Sequence, residues 1–109
     1  MTYAILRLLI SLGLLLLPSA VSQMATVEGV SAELAVCIVE NESNWDTNLV
    51  SIADDTGLFQ IIPSTAEWVA GKLGWDEYNL KDPATNIELG LWILKRYPEW
   101  YSTLYLCEE

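Results

Sequence analysis

The stretch Ser31-Ala32-Glu33-Leu34-Ala35-Val36-Cys37-Ile38-Val39-Glu40-Asn41-Glu42-Ser43 decides how this chain is read. Ser31 is an N-cap residue type, and Glu33 places an acid in the first turn, where the helix dipole favours it. A helix is therefore predicted from Ser31 to about Ser43. Leu34, Ile38 and Glu42 recur every fourth residue and so share one face. Two of the three are apolar and the third is a carboxylic acid at the helix's C-terminal end. An acid on a core-facing stripe, next to the negative pole of the dipole, is expected to hold its proton to a higher pH than a free carboxyl. That is the property a general acid needs.

Downstream of Ser43 the helical period stops. Leu49-Val50-Ser51 and Leu58-Phe59-Gln60-Ile61 are short strand candidates around the turn-rich Asp54-Asp55-Thr56-Gly57. They predict a small hairpin inserted after the helix. Ser64 with Glu67 reads as a capping box opening a helix through about Leu73, which Gly74 ends. Asp82-Pro83 opens another, with Ile87, Leu91 and Leu94 on one face and Pro98 as its stop. Trp100 to Cys107 reads as a final short helix. The prediction is a mainly α domain with a small β element.

Upstream, Met1 to Ser22 reads as a secretory leader: Arg7, an apolar run from Leu8 to Leu17, then Pro18 and small residues. Ala20-Val21-Ser22 fits the cleavage pattern and makes Gln23 the mature start, with residues 23–109 the folded domain and Gln23 to Val30 a loose lead-in. The competing reading is an uncleaved anchor, but the apolar run is about half of the ~20 residues that a spanning helix needs. The expected location is therefore secreted or periplasmic, with no stable membrane insertion after cleavage. In that compartment the only two cysteines, Cys37 and Cys107, are expected to pair, two separately buried thiols being the alternative.

The chain carries 5 basic and 15 acidic residues, a formal charge of −10. Loss of Arg7 with the leader leaves 4 bases against 15 acids, or −11. Such a balance argues against a nucleic-acid partner, whose phosphates require a basic face. There is no histidine, which removes His-assisted serine or cysteine nucleophiles and most zinc sites. Carboxylates, amides, hydroxyls and aromatic rings remain, a set suited to sugar chemistry without cofactor or metal.

Several blocks in order and in register carry a family resemblance: Glu42-Ser43-Asn44-Trp45, Asn48-Leu49-Val50-Ser51, Gly57-Leu58-Phe59-Gln60-Ile61, Pro63-Ser64-Thr65-Ala66, and Asp82-Pro83 with Asn86-Ile87 and Gly90. Together they resemble the lysozyme-like soluble lytic transglycosylase (SLT) domain family, over about Leu34 to Tyr97. The resemblance implies an α+β lysozyme-like fold acting on the glycan strands of peptidoglycan as a monomer. It implies Glu42 as the catalytic acid/base, Ser43 supporting that carboxyl or touching the sugar, and Gln60 hydrogen-bonding the sugar. It also implies cleavage of the MurNAc–GlcNAc β-1,4 bond, in which the substrate's N-acetyl group assists and a 1,6-anhydro product forms. The family continues into a further helix bearing an active-site Tyr. Here only Leu104-Tyr105-Leu106 resembles that block, making Tyr105 the candidate. Gly57 and Gly90 are read as serving backbone geometry and close packing. Two other readings compete: a hydrolytic lysozyme using Asp54 or Asp55 as a second carboxylate, and a glycan-binding module without catalysis.

Overall fold

The computed structural model describes residues 2–108, with only the backbone of Thr2. Met1 and Glu109, the outermost residues of the expected leader and domain, lie outside them. The described residues form α1 (Thr2–Ser11), α2 (Leu17–Glu28), α3 (Ala32–Glu42), α4 (Pro63–Leu73), α5 (Pro83–Arg96) and α6 (Leu104–Cys107), with a 3-10 turn at Pro98–Trp100.

α3 forms as its sequence dictates. The Ser31 hydroxyl accepts the Leu34 N–H at 3.2 Å, and Ala35, Ile38 and Val39 are buried. α5 is the hub, buried from Ala84 through Leu94 on most of its circumference, and α1, α2 and α4 all pack on it. Its start matches expectation: Asp82 caps the Thr85 N–H at 3.0 Å, with Pro83 in the first turn. α4 differs in detail. It begins with Pro63, and its cap residue, Ile62, has no side-chain bond. The anticipated Ser64–Glu67 box does not form, because proline already supplies the preset φ of a first turn.

The anticipated hairpin is absent. No strand occurs among the described residues between α3 and α4, only the isolated antiparallel bridges Val50–Thr56 and Thr56–Ile61. Left-handed backbone at Asp54 (φ 68°), Gly57 (φ 78°) and Gln60 (φ 46°) turns the chain too often for an extended run. Leu58 and Phe59 are nevertheless fully buried, so apolar burial without β pairing explains the strand-like composition.

Asn86 on α5 holds this loop. Its Oδ1 accepts the Phe59 N–H at 2.7 Å, and its Nδ2 donates to the carbonyls of Thr56 and Leu80 at 2.9 and 2.8 Å. A Cβ on Gly57 would strike the Asn86 amide, and one on Gly90 would strike the Phe59 ring. Both glycines thus serve close approach, as the sequence suggested. Asn86→Ala leaves one donor and two acceptors without their partner in the core. We expect a loss of roughly 3 kcal/mol or more in urea unfolding; a change within about 0.5 kcal/mol would refute the clamp.

Most of the N-terminal residues are helical. α2 runs through the anticipated cleavage position and through most of the anticipated loose segment. Ala20, Val21, Met24 and Ala25 are fully buried, an apolar face at helical spacing, and Gly29 closes the helix at φ 77°. A chain beginning at Gln23 would lack Ala20 and Val21 from this core. On α1, Arg7 donates to Thr85 at 2.8 Å and pairs with Glu88 at 3.2 Å, while Ile5 and Leu8 stay exposed. None of the described helices is long and apolar enough to cross a membrane.

Candidate active site

Glu42 is the last residue of α3. The chain leaves the helix sharply, through left-handed Asn44 (φ 49°) and Trp45 (φ 68°), conformations uncommon for residues other than glycine. The Glu42 side chain is half-buried against the C-terminal segment, where the Thr103 hydroxyl donates to its Oε2 at 2.7 Å. Its Oε1 accepts no hydrogen bond among the described residues and is not one of their buried, unpaired oxygens. Burial pushes this carboxyl above the usual range, the Thr103 hydrogen bond pulls it down, and the nearby Asp55 charge raises it again. The net direction is upward.

Two further groups belong to this neighbourhood. Among the described residues, one Asp55 carboxylate oxygen, Oδ1, is buried without a partner. Tyr101 is buried with its hydroxyl unpaired among the same residues; burial, then the Glu42 charge, pushes that phenol far upward. Tyr101 also lines a groove of about 380 Å³ together with Gln60, Ile62, Thr65 and Trp100. Glu42 itself is not in that lining, so Tyr101 connects the acid to the groove. Trp100 is 50% exposed and stacks on Tyr97, with centroids 4.3 Å apart and planes 9° from parallel. Trp45, Trp75 and Trp92 pack against the core.

The residues expected from sequence divide. Gln60 lines the groove, but its Nε2 is committed to the carbonyls of Leu49 and Gly57 at 3.0 and 2.9 Å, which leaves its Oε1 as the atom free to meet a ligand. Ser43 is 4% exposed and donates to the Val39 carbonyl at 3.2 Å, the geometry of a helix end. Tyr105 is 73% exposed and lies outside the groove lining. Thr103 and Tyr101 hold the places beside Glu42 instead. The cysteine pair was the clue to them: Cys37 and Cys107 are disulfide-bonded, which fixes the chain just after Thr103 to the helix that carries Glu42. Asp54 is exposed, whereas Asp55 faces the site.

A larger cavity, about 700 Å³, lies between α1 and the start of α5 and includes Arg7, Trp75, Tyr78 and Glu88. Burial raises Glu88 as well, but the Arg7 guanidinium opposes it and holds its carboxylate at 3.2 Å. Glu42, by contrast, has no ion pair among the described residues.

The transglycosylase SLT domain model matches residues 19–107. The chain belongs to the SLT family. The SLT match begins inside the expected leader and takes in the buried face of α2. A similar protein is a membrane-bound lytic murein transglycosylase C of Mannheimia succiniciproducens, 34% identical over 92 residues that cover 71% of this chain and 24% of the relative. This SLT chain thus spans about a quarter of that relative's length. No solved structure matches it.

Proposed function

We propose that this protein is a peptidoglycan lytic transglycosylase in which Glu42 is the acid/base. The observation that carries the reading is the half-buried Glu42 carboxyl, displaced upward by burial, with one oxygen unbonded among the described residues and its charge acting on Tyr101, which lines the groove. Glu42 donates its proton to the bridging oxygen between N-acetylmuramic acid and N-acetylglucosamine. The muramoyl N-acetyl group stabilises the developing cation, and the Glu42 carboxylate then takes the proton of the C6 hydroxyl, closing the 1,6-anhydro ring. In this reading Gln60 through its Oε1, and Trp100 through its ring, hold sugar rings in the groove that both residues line. The name of the Mannheimia relative supports the same substrate.

Asp55 favours a second reading. Its unpaired buried oxygen near Glu42 suits a carboxylate that activates water, which makes the enzyme a hydrolase. Mass spectrometry of digested sacculi separates the two. Anhydro-muropeptides support the transglycosylase, and muropeptides with a reducing end that borohydride converts support hydrolysis.

Export through the N-terminal apolar run belongs to this proposal. Since α2 supplies core from Ala20 onward, we place any cut in the turn ahead of Leu17. N-terminal sequencing of the exported protein checks this, and a first residue of Gln23 would restore the boundary drawn from sequence.

A further inference from the structure

We propose that Thr103 is a positioning residue that decides which oxygen of Glu42 carries the transferable proton; this rests on the acid/base reading above and deepens it. The Thr103 hydroxyl donates to Glu42 Oε2 at 2.7 Å. An oxygen that accepts a hydroxyl proton at that distance is the poorer place for the acid's own proton. The proton therefore resides on Oε1, the oxygen without a hydrogen bond among the described residues. Without the hydroxyl, either oxygen could hold it, and the side chain could rotate away from the substrate.

The fold supports this contact from both sides. The Cys37–Cys107 disulfide joins the same two segments about one helical turn away. It keeps the start of α6 against the end of α3, although α6 itself contributes no buried residue. The groups facing Glu42 are Asp55 from the loop, Tyr101 from the segment before α6, and Thr103. Asp55 opposes charge on Glu42, and Thr103 is the one that favours it.

The test compares wild type, Thr103→Val, Thr103→Ser and Glu42→Gln in the full chain, with sacculi as substrate. Valine keeps the side-chain shape and removes the donor. We expect Thr103→Val to lower kcat about tenfold or more, the factor for one hydrogen bond to a charged group, with KM little changed. Because the lost bond stabilised the carboxylate, the alkaline limb of the pH–rate profile moves to higher pH. Thr103→Ser restores both. A carbon-13 titration of labelled glutamate side chains gives the same answer without turnover: the Glu42 midpoint rises in Thr103→Val. An unchanged midpoint, or a wild-type kcat in Thr103→Val, overturns the proposal. Wild-type turnover in Glu42→Gln, or none in the wild type, instead defeats the acid/base reading beneath it.

Discussion

Glu42→Gln is expected to cut turnover on peptidoglycan by about 10²–10⁴-fold, the range for loss of a general acid, while raising the melting temperature at neutral pH. The two effects share one cause. In the folded chain, burial and the Asp55 charge outweigh the Thr103 hydrogen bond and set the Glu42 pKa above its ordinary value. The folded state then binds a proton that the unfolded state has already released, so this group's contribution to stability falls as pH rises between the two values. Above the folded value the native carboxylate is a standing cost. Glutamine has the same shape and never ionises, so its advantage grows as pH rises above the ordinary glutamate value. It disappears below about pH 4, where folded and unfolded wild type are both protonated. Circular dichroism melts at neutral pH and near pH 3, run beside muropeptide release, test both halves. A glutamine variant that melts below wild type at neutral pH sinks the claim of a strained acid, whatever its activity.

Breaking the Cys37–Cys107 bond is expected to cost roughly 4 kcal/mol, from the entropy of a 70-residue loop released in the unfolded chain. For a domain of this size that is a fall of about 15–30 °C in melting temperature. The native side explains why nothing compensates. α6 is four residues long and buries none of them fully; Leu104 and Cys107 pack partly against the core, and the disulfide and the Thr103–Glu42 bond tie the segment to α3. The Cys37→Ser/Cys107→Ser double variant, and the wild type with a reducing agent, should melt alike and well below the oxidised protein. Free-thiol titration of denatured, unreduced protein should find no reactive cysteine. Equal melting with and without reductant would remove the disulfide from the account.

Much of the fold was written locally. Ser31 capping Leu34, Asp82 with Pro83, and Gly74 ending α4 are features that neighbouring residues settle among themselves, so the order α3, α4, α5 could be read from caps and periodicity. The 49–61 segment could not. Leu58 and Phe59 have strand composition because they are buried, and Phe59 packs on Gly90 and is tied to Asn86, some thirty residues later. Burial leaves the same mark on composition whether or not a ladder forms. The face of α2 is a related case: Ala20 and Val21 are small and apolar, a composition that suits a cleavage region and a packed helix alike.

Local pattern alone shows that an acid, Glu42, ends the helix opened by Ser31, and that Cys37 and Cys107 are its available staple. Spacing along one helix is a local property, and an isolated cysteine pair has a single pairing. It takes the folded chain to bring Thr103 and Tyr101, rather than the exposed Tyr105, beside that acid and to turn Ser43 back to Val39. Those outcomes depend on how the last residues cross the end of α3, a geometry set by a bond between residues 70 positions apart and by no pattern within either segment.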